Sequence, residues 1–271
     1  MTRQYCHIGT RTIAYLDSAP KHSELKVLVL LHAFPIGANL WEPQMRAIPK
    51  GWRLITPDLR GFGGSTELDS LAALSMGDYA DDVSDLLDEL GVTRAVIGGC
   101  SMGGYAALAL YQSKPEIFEA LVLANTRAGA DSPESRANRR SMLALVDREG
   151  PSGVAREMMP KMLGQTTKDT NAAAEATVRR LIKQQSPAGI RSAIHRMMHR
   201  ADSSLLLPQI AVPTLVITGA EDEMIPVEES RKMAAAIPGA TLVILPGAGH
   251  LANLEQPEAF NAALTTFLTT L

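Results

Sequence analysis

Arg94-Ala95-Val96-Ile97-Gly98-Gly99-Cys100-Ser101-Met102-Gly103 carries an apolar strand pattern straight into a helical one, which continues from Gly103 to about Gln112. A serine between two glycines at such a junction has the sequence of a nucleophile elbow, the tight strand-to-helix turn that lifts a hydroxyl out of a sheet. The glycines matter because neighbouring backbone must pass close to that turn. The following helix points backbone N–H groups and its positive dipole end at the space beside Ser101, where negative charge on oxygen would be stabilised. Cys100 occupies the inward-facing position of the pentapeptide and reads as a small buried hydrophobe.

Working outward, residues 4 to 17 alternate in polarity and break at Gly9-Thr10, the pattern of an antiparallel hairpin. Beyond it, Val27 to Leu31, Arg53 to Thr56, Ala95 to Gly98, Ala120 to Ala124, Thr214 to Thr218 and Thr241 to Leu245 read as short strands. Their nearly continuous apolar character implies strands covered on both faces, hence a parallel sheet between layers of helix. Helical patterns fall between them, at about Leu40 to Ile48, Tyr79 to Leu90, Met102 to Gln112, Val227 to Ala236, and Pro257 onward. The expected class is α/β, with eight strands, mostly parallel.

The alternation lapses from Asn125 to Leu207. Four helical patterns occupy that stretch, near Glu134 to Arg148, Val154 to Leu163, Ala172 to Gln184 and Pro187 to Arg200, punctuated by Gly150-Pro151, Gly164 and Ser186-Pro187. Residues 127–207 are therefore expected to form a helical cap inserted into a core made of residues 1–126 and 208–271. The insertion holds 14 Lys and Arg against 8 Asp and Glu, or +6, so the rest of the chain carries −9 to reach the net −3. Such an asymmetry favours an anionic ligand, although basic side chains coating a solvated helix face produce the same count. Six of the twelve methionines, including Met142, Met158 and Met197, also lie there and suit either a malleable pocket roof or ordinary helix packing.

Composition excludes several classes. A net charge of −3 over 271 residues offers no electrostatic footprint for nucleic acid, and no apolar run approaches the roughly 18 residues that span a bilayer. The N-terminal Met1-Thr2-Arg3-Gln4-Tyr5-Cys6 lacks the apolar core of a signal peptide, so a cytoplasmic location is the default expectation. Cys6 and Cys100, far apart in sequence, do not make a disulfide framework. His195 and His199 share a helix face, but no Glu lies between them and Arg196 and Arg200 stand beside them, so neither a metal nor a cofactor is expected.

A serine nucleophile needs a base, and the base needs an acid to orient it. Of the six histidines, His250 follows the last strand in Pro246-Gly247-Ala248-Gly249-His250, a glycine-rich loop at a strand end where a side chain can reach across the sheet edge. His7 and His22 lie near the hairpin and His195 and His199 in the insertion, while His32 heads His32-Ala33-Phe34-Pro35 and is expected to hold structure. The acid should come from another strand end. Gly219-Ala220-Glu221-Asp222-Glu223 supplies Asp222, with Glu221 and Glu223 as fallbacks; one strand earlier the residue is Asn125, which carries no charge. The order Ser101, Asp222, His250 results.

These motifs together resemble the α/β-hydrolase superfamily over nearly the whole chain outside the insertion. His32-Ala33-Phe34-Pro35 is similar to its H-G-x-P oxyanion loop, Pro57-Asp58-Leu59-Arg60-Gly61-Phe62-Gly63-Gly64-Ser65 to a characteristic loop, and Gly219 to Pro226 to G-x-x-D-x-x-x-P. Gly249-His250 with Glu255, Pro257 and Phe260 matches the histidine loop and last helix. The resemblance implies oxyanion donors at the backbone N–H groups of Phe34 and Met102, and a substrate pocket bordered by Phe34, Trp41 and Met102. Trp41 and Phe34 are equally explicable as core. Ala33 replaces the usual glycine, and its methyl group makes bulky or tertiary esters doubtful substrates.

A serine at position 101 also sets the chain apart from the branches with an aspartate nucleophile, the haloalkane dehalogenases and soluble epoxide hydrolases. Together with Leu40-Trp41-Glu42-Pro43-Gln44, the oxyanion loop looks most like small bacterial esterases and 3-oxoadipate enol-lactonases. The resemblance implies a serine carboxylesterase acting on small esters, with an enol-lactonase, or a cofactor-free perhydrolase sharing the Pro35 loop, as alternatives. Receptors of the superfamily keep the same three residues, so a ligand-binding protein with negligible turnover is the non-enzymatic alternative. The expected partner is a small ester or lactone; the sequence leaves oligomeric state open.

Overall fold

The computed structural model describes residues 2–20, 22, 24–66 and 74–271; Met1, which opens the N-terminal stretch discussed above, lies outside them. Eight strands form one sheet: β1 (Gln4–Ile8), β2 (Arg11–Asp17), β3 (Lys26–Leu31), β4 (Trp52–Pro57), β5 (Ala95–Cys100), β6 (Phe118–Ala124), β7 (Thr214–Gly219) and β8 (Thr241–Leu245). Their spatial order is β1-β2-β4-β3-β5-β6-β7-β8. The β1–β2 and β2–β4 pairings are antiparallel and all others parallel, which is the mostly parallel eight-stranded sheet of an α/β-hydrolase fold. Every residue of β4, β5 and β7 is buried, Arg53 of β4 by pairing with Asp17, whereas the edge strand β1 alternates between half-buried and exposed.

Ten α-helices accompany the sheet: α1 (Glu42–Arg46), α2 (Met76–Glu89), α3 (Met102–Ser113), α4 (Pro133–Met162), α5 (Gln165–Thr170), α6 (Ala172–Lys183), α7 (Pro187–Met198), α8 (Val227–Ala236), α9 (Ala252–Glu255) and α10 (Pro257–Leu268), among the described residues. The helix expected over Leu40 to Ile48 is instead a 3-10 turn, Ala38–Trp41, followed by the short α1. Pro43 explains the division, since a residue without an N–H is accommodated only in the first turn of a helix. Helix α2 begins three residues before the expected Tyr79 because Ser75 and Asp78 form a reciprocal capping box.

Helices α4 to α7 form an insertion between β6 and β7. Gly150 sits at φ 60° and ψ −159° and breaks α4 into two helical stretches, where Gly150-Pro151 had placed the boundary. The short α5 has no counterpart among the expected helices; six residues are too few to show a periodicity. Caps mark the other starts. Ser132 accepts from the Ser135 N–H, Asn171 from Ala174 and Ser186 from Gly189. The insertion is tied to the core through the fully buried Arg196 of α7, whose Nε lies 3.0 Å from the Asp78 carboxylate on α2 and whose guanidinium stacks on the Tyr79 ring. No helix among the described residues is long and apolar enough to cross a membrane.

The positions of β3, β5 and α3 depend on two missing side chains. A Cβ on Gly99 would overlap the Gly103 backbone, and one on Gly103 would overlap the carbonyl of Leu31 at the end of β3. Gly103→Ala is therefore expected to cost about 3 kcal/mol or more, the upper range for overpacking. Gly239→Ala, at φ 70° but with open space around it, should cost only about 1–2 kcal/mol. Urea-denaturation midpoints of the two variants check the contrast, and equal losses would mean that the close approach at Gly103 does not constrain the elbow.

Candidate active site

Ser101 follows the last residue of β5 and caps the start of α3 at φ 54° and ψ −112°, a left-handed conformation that costs a non-glycine residue about 1–3 kcal/mol. Neighbouring chain holds it there. Its N–H donates to the Ala124 carbonyl (2.9 Å), its carbonyl accepts from the Thr126 hydroxyl (2.8 Å), and the N–H groups of Gly104 and Tyr105 close the first turn of α3 on that same carbonyl. Met102, the first residue of α3, presents a helix N-terminal N–H beside the serine.

His250 arrives from the loop after β8 and Asp222 from the loop after β7. His250 Nδ1 lies 2.9 Å and 3.1 Å from the two Asp222 oxygens, so that ring nitrogen carries the donated proton and Nε2 is left with a free lone pair. Both side chains are buried. Asp222 Oδ1 accepts from the N–H groups of Met224 and Ile225, and Oδ2 from the Asn125 amide at 2.9 Å. Burial works against the Asp222 charge, but the His250 ring, the Asn125 amide and the Ile225 N–H outweigh it and hold the carboxyl below its usual range. Asn125, read from sequence only as a position unable to supply the acid, thus supports the acid from one strand away.

The fallback acids have other partners. Glu221 accepts from the Thr166 N–H and hydroxyl at the start of α5, and Glu223 is exposed near Lys168. Glu255 is buried and bridges the two parts of the molecule, accepting from Leu251 N–H next to His250 (3.0 Å) and from Gly164 N–H in the insertion (2.7 Å). His32 donates from Nδ1 to the Ala33 carbonyl and accepts from Leu59 N–H on Nε2, a structural role in which burial lowers its basicity. Cys100 is fully buried and burial pushes its thiol well above the ordinary value, so it stays a thiol. Among the described residues, no group of three or more His, Cys, Asp or Glu side chains is arranged to hold a metal.

Ser101 and His250 line one small cavity of about 60 Å³, closed by Phe34, Tyr105, Arg127, Arg139 and Met197 among others. His250 Nε2 has no hydrogen-bond partner among the described residues. The space continues under the insertion into a larger cavity of about 510 Å³ that shares Phe34, Arg127, Arg139 and Met224 and adds Arg148 and Lys161. Trp41 is placed elsewhere: fully buried, it packs on Phe260 at 5.9 Å and does not border the serine cavity, so its role is in the core. Ala33 carries no left-handed strain, since among the described non-glycine residues only Ser101 and Asn125 take positive φ.

Sequence reasoning missed Tyr105, Arg127 and Arg139. Tyr105 was within reach, because it follows Ser101 by four residues and so shares its face of α3. Arg127 and Arg139 had no local signal; they meet through the buried carboxylate of Asp131, which pairs with Arg127 (2.9 Å), Arg139 (3.2 Å) and Arg200 (2.6 Å). Of the three arginines, Arg127 and Arg139 also line the serine cavity and place cationic side chains on its wall.

A match to the alpha/beta hydrolase fold family model covers residues 26–257, and the chain belongs to that family. An esterase from Thermogutta terrifontis, solved with malate bound, is 35% identical and superposes with a TM-score of 0.92 over 100% of this chain and 99% of its own. The enol-lactonase of Burkholderia xenovorans LB400 is 28% identical with a TM-score of 0.89, covering 98% and 100% respectively. Among curated relatives, a RutD protein of Caulobacter sp. (strain K31), named provisionally as a carbamate hydrolase, is 33% identical over 91% of this chain and 92% of its own length.

Removing the Asp131 carboxylate strands the buried Arg200 and leaves two half-buried arginines beside it, so Asp131→Ala is expected to destabilise the fold by about 3 kcal/mol. Burial opposes the Asp131 charge, yet Arg139 and Arg200 hold its carboxyl below the usual range. Its folded value therefore lies below its unfolded value. The stabilisation is complete above the ordinary carboxylate range and is lost as pH falls through the depressed folded value. Urea midpoints across the acid range check this: Asp131→Asn should lose stability at neutral pH and show a shallower acid decline than the parent.

Proposed function

We propose that the chain is a serine carboxylesterase that hydrolyses small esters. The observation that carries this reading is the shared cavity: a serine held on a strained elbow and a histidine whose Nδ1 is committed to a buried carboxylate line one small space. Ser101 Oγ attacks the ester carbonyl while His250 Nε2 takes its proton; the same proton then goes to the departing alkoxide, leaving an acyl-enzyme. Water, deprotonated by His250, releases the acid and restores the serine. Asp222 keeps the proton on Nδ1 and steadies the imidazolium. The backbone N–H groups of Phe34 and Met102 receive the oxyanion, each contributing roughly 3 kcal/mol in the transition state.

Arg127 and Arg139 on the cavity wall favour a second reading, in which the carbonyl belongs to a lactone or ester that also bears a carboxylate. The malate held by the Thermogutta esterase and the enol-lactonase activity named for the Burkholderia protein support that direction. In a lactone the leaving alkoxide stays tethered, and the two-step chemistry is otherwise unchanged.

Short p-nitrophenyl esters, an enol-lactone with a free carboxylate and an alkyl carbamate, assayed side by side, decide the substrate. Ser101→Ala should abolish turnover of whichever is cleaved. Asp222→Asn should fold normally yet lose about 10⁴-fold in kcat through the wrong histidine tautomer; retained activity would remove Asp222 from the mechanism. If the carboxylate reading is right, Arg139→Ala raises KM for the carboxylate-bearing substrate by about 10-fold or more, the loss of one charge-assisted hydrogen bond, and leaves the neutral ester unaffected. No turnover and no labelling of Ser101 by an organophosphate would instead favour a ligand-binding protein.

A further inference from the structure

A chamber of about 310 Å³ lies behind the serine cavity, on the far side of Tyr105 and Arg127, which line both spaces. It runs along one face of α3. Tyr105, Leu108, Ala109 and Gln112 border it at the i, i+3, i+4 and i+7 spacing of a single helical stripe that starts one turn beyond Ser101. Its floor is largely apolar, with Met76 of α2 facing Leu108 and Ala109. The volume is at the lower end of small-molecule sites.

The wall between the two spaces is braced. Arg200 lays its guanidinium on the Tyr105 ring, 4.1 Å from the centroid, and donates to the Gly129 carbonyl at 2.7 Å. Arg200 and Arg127 are both held by Asp131, so ring, guanidinium and carboxylate form one knit partition. A Tyr105 ring that is 6% exposed and clamped on its face has little freedom to swing aside.

We infer that Tyr105 is a specificity-determining residue: it closes the serine cavity against the α3 chamber and limits the substrate group on that side to a short one. Without the ring, the chamber becomes a binding site for a medium-length alkyl chain. The turnover readout of this assignment rests on the hydrolase reading above; a binding readout does not.

The test compares the parent with Tyr105→Ala, Tyr105→Leu and Tyr105→Phe on two ester series, one lengthening the acyl chain from butyrate to octanoate and one lengthening the alcohol. The ratio of kcat/KM for the long over the short member should rise about 10-fold or more in one series for the Ala and Leu variants, as added methylenes leave water. Tyr105→Phe should stay within about 2-fold of the parent, because the ring alone makes the wall. Adding Ala109→Phe to Tyr105→Ala fills the chamber and should restore the parent ratio. In parallel, calorimetric titration of octanoate and butyrate into Ser101→Ala and Ser101→Ala/Tyr105→Ala should show the same shift toward octanoate. Ratios that stay at the parent value in both readouts, or that rise but ignore Ala109→Phe, overturn the assignment. A parent that neither hydrolyses any ester nor reacts with an organophosphate overturns the hydrolase reading instead, and the binding ratio then decides the partition by itself.

Discussion

Backbone has to pass within contact distance of backbone where β5 ends, and the rest of the site depends on that closeness. Gly99 and Gly103 bring the end of β5 against the start of α3, and the start of α3 against the end of β3. The chain between them can turn only by placing Ser101 in a left-handed conformation. That strain is repaid by the Ala124 and Thr126 hydrogen bonds on either side of the residue. The result is a hydroxyl fixed at the carboxyl edge of a parallel sheet, the edge where loops from neighbouring strands converge. Asp222 and His250 need only come from the next two strand ends to meet it.

Charge organises the second level. Three buried or half-buried carboxylates join the insertion to the sheet: Asp78 grips Arg196, Glu221 grips the start of α5, and Glu255 bridges Gly164 and Leu251. Glu221 adjoins Asp222 in one loop and Glu255, at the end of α9, holds the residue after His250, so the docking of the insertion and the placement of Asp222 and His250 share their fastenings. Asp131 does the corresponding work on the other side of the serine, gathering Arg127, Arg139 and Arg200 around the cavity. A buried network of this kind adds less to stability than its Coulomb attraction suggests; what it secures is a single arrangement of the groups around the serine.

Much of this was legible in the chain. Six strands stand within a residue or two of where apolar runs placed them, and β1 and β2 fall where alternation broken at Gly9-Thr10 placed a hairpin, because strand burial leaves a pattern that needs no partner to be read. Gly150-Pro151 marked the break in α4, and Gly219 to Pro226 and Gly249-His250 marked the loops whose Asp222 and His250 side chains meet. Local chemistry that competes with periodicity was harder to read. Pro43 divided an expected helix, Ser75 and Asp78 extended another, and α5 was too short for a period to show. Trp41 failed as a pocket residue since an apolar aromatic near a loop reads alike whether it faces a cavity or Phe260.

The sequence by itself determined the class of fold, the tight turn that carries Ser101 and the two loops that carry Asp222 and His250, because each depends on a short stretch whose residue types answer a local steric or electronic demand. Only the tertiary structure decided what surrounds them. Asn125 beside Asp222, the three arginines on Asp131, Arg200 on the Tyr105 ring and the Glu255 bridge join groups separated by four to nearly a hundred positions along the chain. Such pairings are chosen by how the helices of the insertion pack on the sheet, and packing leaves no period in a linear chain.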